Sequence, residues 1–335
     1  MKLSVAMCTY NGARYLQEQL ESIAAQTRLP DELVVCDDCS SDGTRAILEE
    51  FKARVTFPVR LYFNEQNLRV WKNFEKAISL CEGEVIALCD QDDVWLPEKL
   101  GRMEEAFAAT PDAGVVFSDL EVVDENLRPL GYRAWQSSWV EFGEPEQRLF
   151  RQGKALQVLI THNVVTGAAM AFRAKYKDLV LPLPEFVDWL IHDYWIVMLI
   201  AAVARVTYIK TPLVKYRIHA EQSIGLLPPD TSRVFPEKFT LQNRNFKHPV
   251  QYRRAELLLE RFLEKNEPQY GAAIADLKAR LRHGQMQERL ADQKFASRVL
   301  RIHCELVAGR YHLCAHPESN GWRDAAIDLL PYKFK

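Results

Sequence analysis

Between Leu3 and Asp119, short runs rich in β-branched and other apolar residues alternate with stretches whose apolar residues recur at helical spacing. No other feature restricts the fold as strongly. LSVAMCTY stops at the Asn11-Gly12 turn signal, after which Leu16, Leu20, Ile23 and Ala24 mark one face of a helix. ELVVCDD precedes Ser40-Ser41-Asp42-Gly43, whose polar residues suit the start of a helix over TRAILEEF. VRLYF, a helix from Trp71 to Leu80, EVIALCD, a helix opened by Pro97 and AGVVFSD continue the series. Strand and helix in strict alternation predict an α/β fold, a mostly parallel sheet with helices on both faces.

Ligands of such sheets bind at the carboxyl ends of the strands. Polar residues stand there three times: Thr9, Tyr10 and Asn11 after the first run, Asp37 and Asp38 after the second, and Asp90 to Asp93 after the fourth. Helix caps and turns account for any one of these clusters, since Asp, Asn and Ser favour such positions. Three in succession on one edge point to a ligand site.

Beyond Asp119 the pattern loosens, between about residues 132 and 153. It resumes with strand-like VVTGAAMAFR, helical IHDYWIVMLIAAVA and two short strands, RVTYIK and LVKYRIH. After Gly225 a Pro-rich stretch leads into charged helical sequence. The expected organisation is a catalytic domain over 1–225, divided near residue 120 into a ligand half and a second half, and a helical region over 226–335. A content of 48% hydrophobic residues provides for a large core and excludes global disorder. The apolar stretch Trp195 to Ala204 is far short of the roughly 20 residues of a membrane span, and Met1 leads straight into a strand, so a cytoplasmic location is expected. Seven cysteines, mostly in apolar runs, fit reduced thiols.

Charge is uneven. From Arg233 to Lys335 there are 19 Lys and Arg against 12 Asp and Glu; the remainder holds 24 against 33. Between Tyr252 and Arg310, cations including Arg280 and Arg282 interleave with Leu257, Leu258, Leu259, Phe262, Leu281 and Leu290. Helices with an apolar and a cationic face would follow. Two readings stand open: contact with an anionic membrane surface, or packing against the rest of the chain or a second copy with the charges solvated.

Asp90-Gln91-Asp92-Asp93-Val94-Trp95 is the most informative segment. Three carboxylates within four residues at the end of a buried strand repel one another unless a cation neutralises them. Their hard oxygens suit Mg²⁺ or Mn²⁺, which bind one or two protein carboxylates and draw other ligands from substrate phosphates and water. CTYNG, VVCDDCSSDGT, CDQDDVWLPEKL, TGAAMAF, HDYW and YRIH together, from Leu3 to Ser223, resemble glycosyltransferase family 2 proteins of the GT-A fold, a Rossmann-like sheet. The resemblance implies a nucleotide-diphosphate sugar donor. Thr9, Tyr10, Asn11 and Asp37 or Asp38 would hold its base and ribose, Asp90 its ribose or diphosphate side, and Gly167 would face the transferred sugar. It further implies Asp92 as principal metal ligand, His219 as a second, and Asp193 as the base that deprotonates the acceptor. Where the family usually has an acidic residue before that base, this chain has His192. For His219 a satisfied histidine, and for Asp193 an acidic residue favoured by the start of a helix, remain the alternatives. Trp95, Trp189 and Trp195 either stack on sugar or pack the core.

The function so implied is inverting, metal-dependent transfer of one sugar to a hydroxyl of a glycan or lipid-linked acceptor in bacterial surface polysaccharide synthesis. DQDDVW is similar to rhamnosyltransferase sequences, which makes dTDP-L-rhamnose the first expected donor and a UDP-hexose the second. A homo-oligomer is a further expectation; nucleic acid is not an expected partner. Two other functions compete with this one. A sugar nucleotidylyltransferase requires a Gly-rich, Arg-containing loop after the first strand, where this chain has CTYNGARY. A silent sugar-nucleotide-binding subunit has no need of both Asp92 and Asp193.

Overall fold

The computed structural model describes residues 1–138, 140–184, 190–222, 225–226, 228–229, 247–290, 293–317 and 319–329, with backbone only for 247–250. Trp189 and Ser223 lie outside the described residues. The chain divides into two compact units: Met1–Phe142 with Val164–Thr231, and Gly143–Asn163 with Ser232–Lys335. That division differs from a single boundary at 225, because Gly143–Asn163 belongs with the C-terminal helices.

In the first unit the chain runs β1 (Leu3–Thr9), α1 (Leu16–Ala24), β2 (Glu32–Asp37), α2 (Thr44–Arg54), β3 (Val59–Phe63), α3 (Arg69–Leu80), β4 (Val85–Cys89), β5 (Val94–Trp95), α4 (Lys99–Ala109), β6 (Ala113–Ser118), β7 (Glu121–Val123) and β8 (Pro129–Arg133). The second unit takes α5 (Glu144–Arg151) and α6 (Ala155–Leu159), and the first resumes with β9 (Met170–Arg173), α7 (Lys177–Val180), α8 (His192–Ala201), β10 (Arg205–Ile209) and β11 (Val214–Arg217). The main sheet has the order β10-β6-β9-β4-β1-β2-β3. Its pairs are parallel except where β9 enters antiparallel between β4 and β6. Every residue of β2, β4 and β6 is buried, as expected of strands covered on both faces. The strand expected over VVTGAAMAFR is shorter: Gly167–Ala169 forms a 3₁₀ turn, and only Met170–Arg173 pairs.

From β1 the chain steps outward to β2 and β3, then returns to place β4 on the other side of β1. The gap at the carboxyl ends of β1 and β4 is the topological switch point, where helices diverge and a ligand can enter. A second sheet of order β5-β11-β7-β8, not anticipated from the sequence, lies beyond the end of β4 in the chain. Of its strands only β11, within LVKYRIH, was expected; β5, β7 and β8, of two to five residues, are too short to show a period.

The second unit adds α9 (Lys247–Lys265), α10 (Gly271–Leu290), α11 (Phe295–Val307), α12 (Arg310–Cys314) and α13 (Gly321–Leu329). Ala255, Leu258 and Phe262 of α9 are buried, and Met286, Leu290, Ile302, Tyr311 and Ala325 form a common core. Of the residues left open between membrane contact and packing, several pack inside, and so does a cation expected to be solvated. Leu258, Phe262 and Leu290 pack the core, and Arg280 is buried, donating from Nε to Asp276 Oδ2 at 2.7 Å and from Nη1 to the Leu313 carbonyl at 3.0 Å. Arg298 is buried too, donating to the Asp328 carbonyl. Among the described residues no helix is long and apolar enough to cross a membrane.

Candidate active site

The loops after β1 and β2 are built from their own polar side chains. Thr9 Oγ1 donates to Asp37 Oδ1 at 2.8 Å, and the Ser40 amide donates to Asp37 Oδ2 at 3.0 Å. Asp38 turns the other way. Its carboxylate accepts the Leu68 and Arg69 amides at 2.7 and 2.9 Å and the Asn64 side chain at 2.9 Å, which secures the start of α3. Asn11, at φ 46°, accepts the Ser41 amide at 2.9 Å, while the Tyr10 side chain beside it is half exposed. Of these sequence-predicted residues, then, Tyr10 offers an open ring at the rim and the others shape the loops.

Gln91 joins this edge to the acidic loop. Its carboxamide accepts the Tyr10 amide at 2.8 Å and donates to the Tyr10 carbonyl at 3.0 Å. Gly12 makes room for it, since a Cβ there would lie 2.2 Å from Gln91 Oε1. A side chain at residue 12 would have to push the Gln91 carboxamide aside.

Asp90, Asp92 and Asp93 follow β4. Asp92 Oδ2 lies 2.9 Å from His219 Nε2, so the two sequence-predicted metal ligands are adjacent although 127 residues apart. The second sheet brings them together: β11 pairs with β5, Val214 opposite Trp95 and Lys215 opposite Val94. Arg217, buried at the end of β11, donates its amide to Asp93 Oδ1 at 3.0 Å and its Nε to the Asp92 carbonyl at 2.7 Å, and it pairs with Glu18. Asp93 Oδ2 is buried and has no hydrogen-bond partner. Burial, together with the Asp92 and Asp193 charges, pushes the Asp90 carboxyl up to about 7, and burial and the Asp92 and Asp90 charges raise Asp93 well above the carboxylate range. Carboxylates that repel one another in this way, with an imidazole at hand, fit a hard divalent cation. Among the described residues no three His, Cys, Asp or Glu side chains complete a cage by themselves.

Asp193 stands at the start of α8. Its Oδ2 accepts the Gly167 amide at 2.6 Å and its Oδ1 the Tyr194 amide at 2.6 Å. A Cβ on residue 167 would come within 3.1 Å of Asp193 Oδ2, so Gly167 lets the turn before β9 close on the carboxylate. Burial takes Asp193 up to about 7, against the opposing pull of those amides. Its charge is felt at Asp90. His192 is buried, stacked on Phe74 with ring centroids 4.0 Å apart, and its Nε2 has no hydrogen-bond partner. Burial brings it down to about 3, so it is neutral at neutral pH.

Lys99 escaped the sequence reading. It is fully buried, its Nζ donating to the Ala168 carbonyl at 2.6 Å and lying 3.3 Å from the Trp95 ring centroid. Burial lowers it to about 7, opposed by Cys89, Asp93 and Asp90 nearby. The available signal was register: Lys99 falls on the same helical stripe as Met103 and Phe107, where a solvated lysine does not belong. Trp95 and Trp195 are core residues.

The family model for glycosyl transferase family 2 matches residues 4–180, more than half of the chain. The chain belongs to glycosyl transferase family 2. An uncharacterized glycosyltransferase of Nostoc sp. is 29% identical over 223 residues, covering 65% of this chain and 65% of its own length. The chain spans about half the length of an uncharacterized Mycobacterium tuberculosis relative, 52%, again at 29% identity. Among solved structures, S. aureus TarS 1–349 in complex with UDP superposes with a TM-score of 0.53 at 20% identity, over 94% of this chain and 81% of that one. At that identity TarS bears on the fold alone, and the family 2 chain has the expected GT-A architecture with a helical C-terminal region.

Proposed function

We propose that this family 2 chain transfers one sugar from a nucleotide-diphosphate donor to an acceptor hydroxyl, with inversion at the anomeric carbon. The observation that carries the reading is Asp193: a buried carboxylate held by two backbone amides and near enough to the acidic loop for its charge to act on Asp90. A base with a proton affinity near neutral pH is suited to take the acceptor proton as the hydroxyl attacks. The acceptor oxygen bonds to the anomeric carbon, the bond from that carbon to the diphosphate oxygen breaks, and the electron pair leaves with the diphosphate. Asp193 retains the proton.

Asp92 and His219 would hold Mn²⁺ or Mg²⁺, with Asp90 and Asp93 adding negative charge. When bound, the ion supplies charge neutralisation for the diphosphate. The chain's own part is to fix Asp92 against His219 through Arg217 and the β5–β11 pair, and to aim Asp193 by the Gly167 and Tyr194 amides. Tyr10 would lie against the base at the rim. The resemblance of DQDDVW to rhamnosyltransferases supports dTDP-L-rhamnose as first donor. TarS crystallised with UDP-GlcNAc supports a nucleotide-sugar donor in general and a UDP-hexose as second. A glycan or lipid-linked hydroxyl is the acceptor class.

The test is donor hydrolysis and transfer by the purified chain with a panel of nucleotide sugars, in Mn²⁺ and in chelator. Turnover that requires the ion and disappears in Asp92→Ala is expected. Undiminished turnover in chelator, or in that variant, would overturn the metal assignment.

A further inference from the structure

Helix α11 is built inside out. Toward its own unit it buries Arg298, Ile302 and Glu305, where Arg298 donates to the Asp328 carbonyl and Glu305 meets His283 at 2.9 Å and Arg310 at 2.8 Å. Toward the outside it shows Phe295, 68% exposed, Val299, 40%, Leu300, 65%, and Val307, 76%. At 100° per residue these four, with His303 and Cys304, fall within roughly half of the helix circumference. That half carries no Asp, Glu, Lys or Arg. Beside it lies a depression of ≈ 360 Å³ whose lining includes Leu300, Met286, Arg282, Arg289 and Arg301. The three arginines are exposed and form no ion pair among the described residues.

We propose that the outward face of α11, with Arg282, Arg289 and Arg301 beside it, is a docking surface for an anionic lipid bilayer. Apolar side chains on one face of a helix enter the headgroup boundary, and unpaired arginines at its edge meet lipid phosphates. Charge selects this occupant. A second copy docked two-fold on the same face would set one arginine cluster beside its own image, so that like charges oppose association. An anionic surface reverses that sign. Of the two arginines named from the sequence pattern, Arg280 is spent inside the unit and Arg282 remains exposed; Arg298 is likewise turned inward. The surface is independent of the transfer chemistry, and its test reads binding alone.

The experiment is flotation of the full chain with vesicles of phosphatidylcholine alone or mixed with phosphatidylglycerol. Binding to the anionic vesicles only is expected, weakened by salt as the screening length falls below about 10 Å. Arg289→Gln and Arg301→Gln should each lower partition about fivefold. Phe295→Ser with Leu300→Ser should abolish it. All four side chains are exposed, so unchanged circular dichroism and donor turnover serve as the folding controls. Absence of flotation with anionic vesicles at low salt, or undiminished flotation of the serine double variant, overturns the assignment. So does a dimer in sedimentation that the serine pair dissolves while vesicles remain bare, which would make a second copy the occupant.

Discussion

A carboxylate that accepts two backbone amides at 2.6 Å has little freedom to turn, and Asp193 is such a group. Asp193→Asn replaces one acceptor oxygen with an NH₂, which must face either the Gly167 or the Tyr194 amide, donor against donor. The substitution is therefore expected to cost about 1–3 kcal/mol of stability as well as the base. Turnover of the folded protein should fall by about 10² or more while donor binding persists. Rate, melting temperature and donor affinity measured together separate these effects; loss of donor affinity with turnover per bound donor intact would make Asp193 a binding residue. The pH profile has a definite sign. A base held at about 7 is ionised only above that value, so the rate should climb through neutral pH and then level. His192, neutral over this range, adds no charge of its own.

Among the elements, β11 does most to assemble the site despite having four residues. It aligns on β5, hands its last residue to the acidic loop and sends the chain into His219. Arg217→Ala removes the donor to the Asp92 carbonyl and the partner of Glu18. Because Glu18 is half exposed, water takes up part of that loss, and destabilisation of about 1.5–3 kcal/mol is expected by denaturant titration. The loop should loosen as well. If Asp92 and His219 act through this strand, the variant will need more Mn²⁺ for half-maximal turnover, whereas an unchanged metal requirement would confine Arg217 to stability.

For the whole molecule, the titrating groups give stability a shape in pH. Asp90 and Asp193 are raised from 3.8 to about 7, so between those values the folded chain keeps protons that the unfolded chain has released. Their contribution to stability falls as pH rises through that window. Lys99 is lowered from 10.5 to about 7; there the unfolded chain holds the proton, and the contribution recovers toward high pH. Melting in chelator should therefore show a site contribution that is smallest near pH 7. A cation that binds only the folded site should raise the melting temperature most above pH 7, where the carboxylates are ionised. Melting curves from pH 4 to 9 with and without Mn²⁺ check this; no Mn²⁺ effect at pH 8 would remove the metal site. By itself the sequence determined the strand and helix order, the mostly parallel sheet, the loop where Asp90 and Asp92 stand and the helix start that carries Asp193, since burial on one or both faces of a local element leaves a period that can be read along the chain. The tertiary structure alone decided the reversed insertion of β9, the second sheet that sets His219 against Asp92, the burial of Lys99, the return of Gly143–Asn163 to the helical unit and the outward apolar face of α11. Each of these depends on which distant segment packs where. A period reports that a residue has a buried side, and only long-range packing selects what lies against it.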